Sequence, residues 1–138
     1  MSEILAPVSV GELLDKIAIL EIKRDRMTDP AKLANVRKEL GALETIWAER
    51  RESRIDVSSL RAALRQVNEK LWDIEDEIRV LEHRQRFDAE FIRLARAVYF
   101  TNDERARLKR ELNQTLGSAF VEEKQYVDYR GGSPPAAT

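Results

Sequence analysis

Cysteine is absent from the 138 residues, which excludes a disulfide framework, a thiolate nucleophile and a cysteine-bound zinc. A lone histidine, His83, rules out a multi-histidine metal site; it stands near a helix end, where a positive charge suits the dipole. Glycine and proline are scarce, at five and four residues, and these are what turns consume. No apolar run approaches the roughly 18 residues that suggest a membrane span. The start at Ser2-Glu3 also lacks the layout of a secretory signal. A cytoplasmic protein without membrane insertion is expected. Neither a Gly-rich phosphate loop nor a nucleophile elbow occurs. An excess of one charge is lacking as well: 24 basic and 25 acidic residues leave a net charge of −1, so nucleic acid is not an expected partner.

What is present is charge of both signs, 36% of the chain, beside 43% apolar residues. With so few turn formers, that mixture favours long helices with solvated faces around one core. The length fits a single helical domain, 1–129, followed by a tail, 130–138, that reads as disordered by composition. Ser9-Val10-Gly11-Glu12 has the spacing of a capping box, with Ser9 as cap and Glu12 reaching back, and opens a helix running to about Met27. Asp29-Pro30 then supplies an N-cap and an N1 proline for a second helix bearing Leu33, Val36, Leu40, Leu43 and Trp47. After the polar stretch 52–58, Leu60, Leu64, Val67, Leu71, Ile74, Ile78 and Leu81 hold a 3.5-residue repeat, the pattern of a coiled-coil seam. Helices 2 and 3 therefore read as a long antiparallel hairpin. Two shorter helices are expected beyond it, one capped by Asp88 and one starting at Thr101-Asn102-Asp103-Glu104, a second capping-box spacing, and ending near Gly117. Residues 118–129 read as an extended or looped segment laid over the bundle. The fold class is all-α, a helical bundle.

Functional residues are harder to find. On helix 1, Glu21 and Arg24 fall within the apolar arc of Val10, Leu13, Leu14 and Ile17. They either mark where the helix leaves the core, or pair with each other, or line a polar pocket. Residues 69–82 carry six acidic and two basic side chains, net −4. Asp73 and Asp76, with Glu12 and Asp15, superficially imitate the carboxylate pairs that hold Mg²⁺. Asp73, Asp76 and Glu77 project away from the seam, however, and read as a solvated face. Residues 84–110 carry eight basic and four acidic side chains, net +4. Docking of this stretch on the acidic one, within the chain or across a dimer, is a natural use of the two.

Three blocks, 7-PVSVGELLDKI-17, 71-LWDIEDEIR-79 and 98-VYFTNDERA-106, with 122-EEKQY-126 behind them, resemble a family of small bacterial proteins known only as a domain of unknown function. The resemblance spans Pro7 to Tyr126. It implies a stand-alone helical protein and an association with genes for glycosyl transfer and surface polysaccharides. It implies no activity, cofactor or catalytic residue.

The resulting expectation is a non-enzymatic helical interaction or accessory protein that forms a homo-oligomer or meets a protein partner, with no cofactor and no catalytic or metal site. The oligomer follows from a seam longer than one short helix can cover. The alternative is a small all-α enzyme or ligand-binding protein acting on a phosphorylated metabolite or nucleotide sugar. Its pocket would be built from Glu21, Arg24, Tyr99, Asn102, Asp103 and Arg105.

Overall fold

The computed structural model describes residues 2–131. Four α-helices follow one another, α1 (Val10–Arg26), α2 (Pro30–Glu49), α3 (Ser58–His83) and α4 (Ala89–Leu116), with a short 3₁₀ turn at Arg51–Arg54. Among the described residues there is no strand, and no helix is long and apolar enough to cross a membrane. The expected tail lies outside the described residues from 132 onward.

The starts of the helices follow local chemistry. Ser9 Oγ accepts the Glu12 N–H at 3.0 Å, Asp29 accepts that of Ala31 at 3.0 Å, and Asp88 that of Glu90 at 3.2 Å. Two further donors at the start of α1 find distant partners. The Val10 N–H donates to Ser118 Oγ at 3.1 Å and the Gly11 N–H to Asn113 Oδ1 at 2.6 Å. The end of α4 thereby satisfies the N–H groups that a helix N-terminus leaves open. Glu12 does not complete the capping box; its carboxylate turns to Lys109 instead.

One core, built from Leu14, Ile17, Leu20, Val36, Leu40, Leu64, Leu108 and Leu112 among others, joins all four helices. A second cluster, Ile74, Leu81, Leu94 and Ala97, comes from α3 and α4 alone. The long hairpin is accordingly α3 with α4, whereas α2 packs mainly on α1. The sequence pattern suggested α2 with α3. Those two still meet at one end, where Arg61 lies 5.9 Å from the Trp47 ring. The reason is that α1 inserts: its Leu14 and Ile17 are buried all round, so α1 and not α2 fills the groove of α3. The heptad seam is absorbed inside the chain, since each of its residues from Leu60 to Leu81 is buried or half-buried.

The two expected C-terminal helices are one. α4 passes through Thr101–Glu104 without a break. Thr101 is buried on the stripe that includes Leu94, Ala97, Leu108 and Leu112, so the apolar face continues across the polar block. The helix-propensity loss at Thr, Asn and Asp, a few tenths of a kcal/mol each, is small beside that burial. Glu104 pairs forward with Arg107, not back to Thr101. Gly117 ends α4 in the left-handed region at φ 65°, the C′ role the sequence suggests. Segment 118–131 then returns along α4: Glu122 reaches Lys109, Glu123 reaches Arg110 and Tyr129 reaches Asp103.

Candidate functional site

Asp15 sits one helical turn after Gly11 on the side of α1 that faces α4, and it is completely buried. A charge there must be matched by partners, because an uncompensated buried carboxylate costs several kcal/mol. Arg105 clasps it with a fork: Nε donates to Oδ1 at 3.0 Å and Nη2 donates to Oδ2. Asn68 of α3 donates to Oδ1 at 2.9 Å. Lys109, one turn beyond Arg105, brings Nζ to 3.9 Å from Oδ2, 2.7 Å from Glu12 and 2.6 Å from Glu122. Three helices and the returning segment are thus tied at one point. Gly11 lets α1 come this close: a Cβ there would lie 2.6 Å from the Lys109 carbonyl oxygen.

The electrostatics are those of a matched network. The Asp15 carboxylate holds the proton of Arg105 more tightly than in an ordinary arginine. Burial alone would lower Lys109, but its bonds to Glu12 and Glu122 outweigh that and raise it. Lys109 in turn holds Glu122 below the usual carboxylate range. Both oxygens of Asp15 are engaged by cationic or amide donors and the side chain is out of contact with solvent, so the group acts as a clamp. Asn113 shares this corner. Its Nδ2 is buried and unpartnered among the described residues.

Beside the network a cleft of about 380 Å³ opens between α4 and the returning segment. Arg107 and Arg110 line it from α4, and Lys124, Tyr126, Tyr129 and Arg130 from the segment, with the Lys109–Glu122 pair in its wall. Tyr129 is the anchor of that segment. Its hydroxyl donates to Asp103 and lies 3.4 Å from the Tyr99 carbonyl oxygen, and its ring meets those of Tyr99 and Phe100 edge-on at 4.7 Å.

The six residues suggested for a pocket fall in three places. Glu21 and Arg24 lie on the far half of α1, with Glu21 at 3.9 Å from Arg65 and Arg24 bonded to its neighbour Asp25 at 3.0 Å. Arg105 belongs to the Asp15 clamp. Tyr99 and Asp103 hold Tyr129, with half-buried Asn102 on the same turn; of the six, only Asp103 lines the cleft. From sequence alone Asn68 draws no notice, Lys109 and Glu122 are members of a basic cluster and of an irregular segment outside the suggested pocket, and Glu12 and Asp15 figure as a capping residue and as superficial metal ligands. These two are held by Lys109 and Arg105, and Asp73 by Arg26 at 2.6 Å. Among the described residues no group of three carboxylates or histidines is placed to share a metal ion. The spacing of Glu12 and Asp15 against Arg105 and Lys109, i,i+3 against i,i+4, was the available signal; the partner helix was what sequence could not supply.

A family model described as a family of unknown function (DUF6165) matches residues 4–137. No curated protein and no solved structure matches the chain significantly.

Proposed function

Because the chain belongs to that family of unknown function, we propose from its geometry that it is a non-enzymatic interaction protein working as a homo-oligomer through the outer half of the α3–α4 hairpin. The observation that carries this is the arm itself. Past the Arg26–Asp73 ion pair, α3 continues for about 15 Å at 1.5 Å per residue, and the cluster there draws on α3 and α4 alone. Two helices bury little apolar surface by themselves, and isolated helices of this length are marginal in water. The arm also leaves Val80, Phe87 and Ile92 exposed at 45%, 52% and 57%.

A second copy fits this surface. The α3 half of the arm, residues 73–83, carries five acidic side chains and one arginine, and the turn with the α4 half, residues 84–98, carries four arginines and two carboxylates. Its shallow groove, centred on Val80, Leu81 and Leu94, carries Glu77, Glu90 and Arg93 on its walls. A two-fold antiparallel pairing brings each acidic half against a basic half, the self-complementarity that an isologous dimer needs. The seam length invoked from sequence no longer argues for a dimer, since the chain covers the seam itself. A cytoplasmic setting and a role beside surface-polysaccharide or glycosyl-transfer pathways rest on the sequence reading and the family resemblance.

Sedimentation equilibrium from low micromolar to near-millimolar protein tests the reading. A dimer mass is expected for the native chain, and a monomer mass for Ile92→Glu combined with Val80→Glu, with the circular dichroism spectrum unchanged. A native monomer at every concentration would overturn it.

A further inference from the structure

We propose that the cleft between α4 and the returning segment 119–131 binds a small phosphorylated ligand that carries a planar ring, and that Glu122 and Glu123 occupy its anion positions until it arrives. This goes beyond self-association and rests on different residues.

The volume, about 380 Å³, is in the range of small-molecule pockets. The sign of the ligand follows from the lining. Five cations, Arg107, Lys109, Arg110, Lys124 and Arg130, line it with three carboxylates, Asp103, Glu122 and Asp128; Arg107 is paired with Glu104 and Glu111 along α4 and Arg130 with Asp103, which leaves Lys109, Arg110 and Lys124 as the cations turned to the segment. Two of the cations already grip carboxylate oxygens brought by the segment. Lys109 holds Glu122 at 2.6 Å and Arg110 holds Glu123 at 2.9 Å. These oxygens mark positions where the site accepts anionic oxygen.

The outer occupant, Glu123, is the readily replaceable one. Glu123 is 72% exposed, and an exposed ion pair contributes little in water. Lys124 forms no ion pair among the described residues, so one cation is free to meet an incoming anion. A phosphate offers three acceptor oxygens and up to two charges, so it can engage a guanidinium fork and two ammonium groups at once. A carboxylate has fewer acceptors for the same three donors. The aromatic side of the argument is Tyr126, 79% exposed although it lines the cleft. An exposed tyrosine beside a cationic cleft is a stacking surface for a flat ring.

Isothermal titration calorimetry at constant ionic strength, with adenosine diphosphate, pyrophosphate and adenosine as probes, tests the assignment. Saturable binding is expected for adenosine diphosphate, weaker binding for pyrophosphate and the weakest for adenosine. Arg110→Ala and Lys124→Ala should each weaken adenosine diphosphate by about tenfold, the loss of one charge-assisted contact. Both side chains are on the surface, so melting temperature should not move. Glu123→Gln should tighten binding, because it removes the competing carboxylate. Absence of saturable binding for both phosphate compounds would overturn the proposal, as would binding indifferent to both cation variants. Equal affinities for adenosine diphosphate and pyrophosphate would overturn its aromatic half.

Discussion

At Asp15 a charge has been taken fully out of water and balanced by an arginine fork and an amide. Such a network adds little net stability over an apolar substitute, but breaking it on one side leaves a buried charge without its match. Asp15→Ala is therefore expected to cost about 3 kcal/mol, read as a lower urea midpoint at unchanged slope. A loss under about 0.5 kcal/mol, the range of ordinary surface substitutions, would mean that Arg105 simply swings out to solvent. Gly11→Ala tests the close approach independently. The new Cβ would fall 2.6 Å from a backbone oxygen and 2.9 Å from Asn113 Oδ1, so α1 must move away from α4, at about 1–3 kcal/mol for overpacking. At this scale the sequence was partly legible. Ser9, Asp29 and Asp88 cap as their types and spacings suggest, because capping is decided within one turn. Asp15 was not, because its meaning depends on Arg105, ninety positions away.

Elements differ in how much of their boundary is local. The break expected at Thr101–Glu104 is absent because the buried stripe of α4 overrides a capping signal. The true stop of α3 carries no glycine at all. There Gln85 takes φ 55°, its N–H donates to the Glu82 carbonyl at 3.0 Å and that of Arg86 donates to Leu81 at 2.9 Å, the paired bonds of a Schellman ending. A left-handed residue with a Cβ costs about 1–2 kcal/mol, so Gln85→Gly should stabilise the protein. Part of the gain is lost with the Gln85 side-chain bond to the Glu82 carbonyl, leaving about 0.5–1 kcal/mol by thermal unfolding. The returning segment is held by ionisable groups, and its docking should follow their shifts. Glu122 is held below the usual glutamate value of 4.5, so its contribution is present above that pH and fades as pH falls through the lowered value. Lys109 is raised above 10.5, so its contribution is complete below that pH and fades as pH rises through the raised value. Amide shifts of residues 120–124, followed by NMR, should stay level between these limits and move outside them. Movement centred near neutral pH would place the latch on other groups.

The whole molecule has two unequal ends: a four-helix core under α1 and α2, and an arm of two helices beyond them. Composition and heptads made an all-α bundle legible. They did not show which helices pair, because α1 and α2 both present apolar stripes able to fill the groove of α3. The arrangement predicts uneven stability, which native-state hydrogen exchange resolves residue by residue. In a monomer, amides of the arm, at Ile74, Ile78, Leu94 and Val98, open with only the small cluster of α3 and α4 to hold them. Those at Ile17, Leu64 and Leu112 require the main core to open. At low micromolar protein the arm should thus exchange well ahead of the core. Raising the concentration should slow the arm selectively if its exposed strip is covered by a second copy, since mass action stabilises only what the partner contacts. Core amides should then rise only where opening of the whole chain limits their exchange. An arm already as protected as the core in the dilute monomer would show that α3 and α4 suffice for each other, and the exposed Val80 and Ile92 would lose their assigned role.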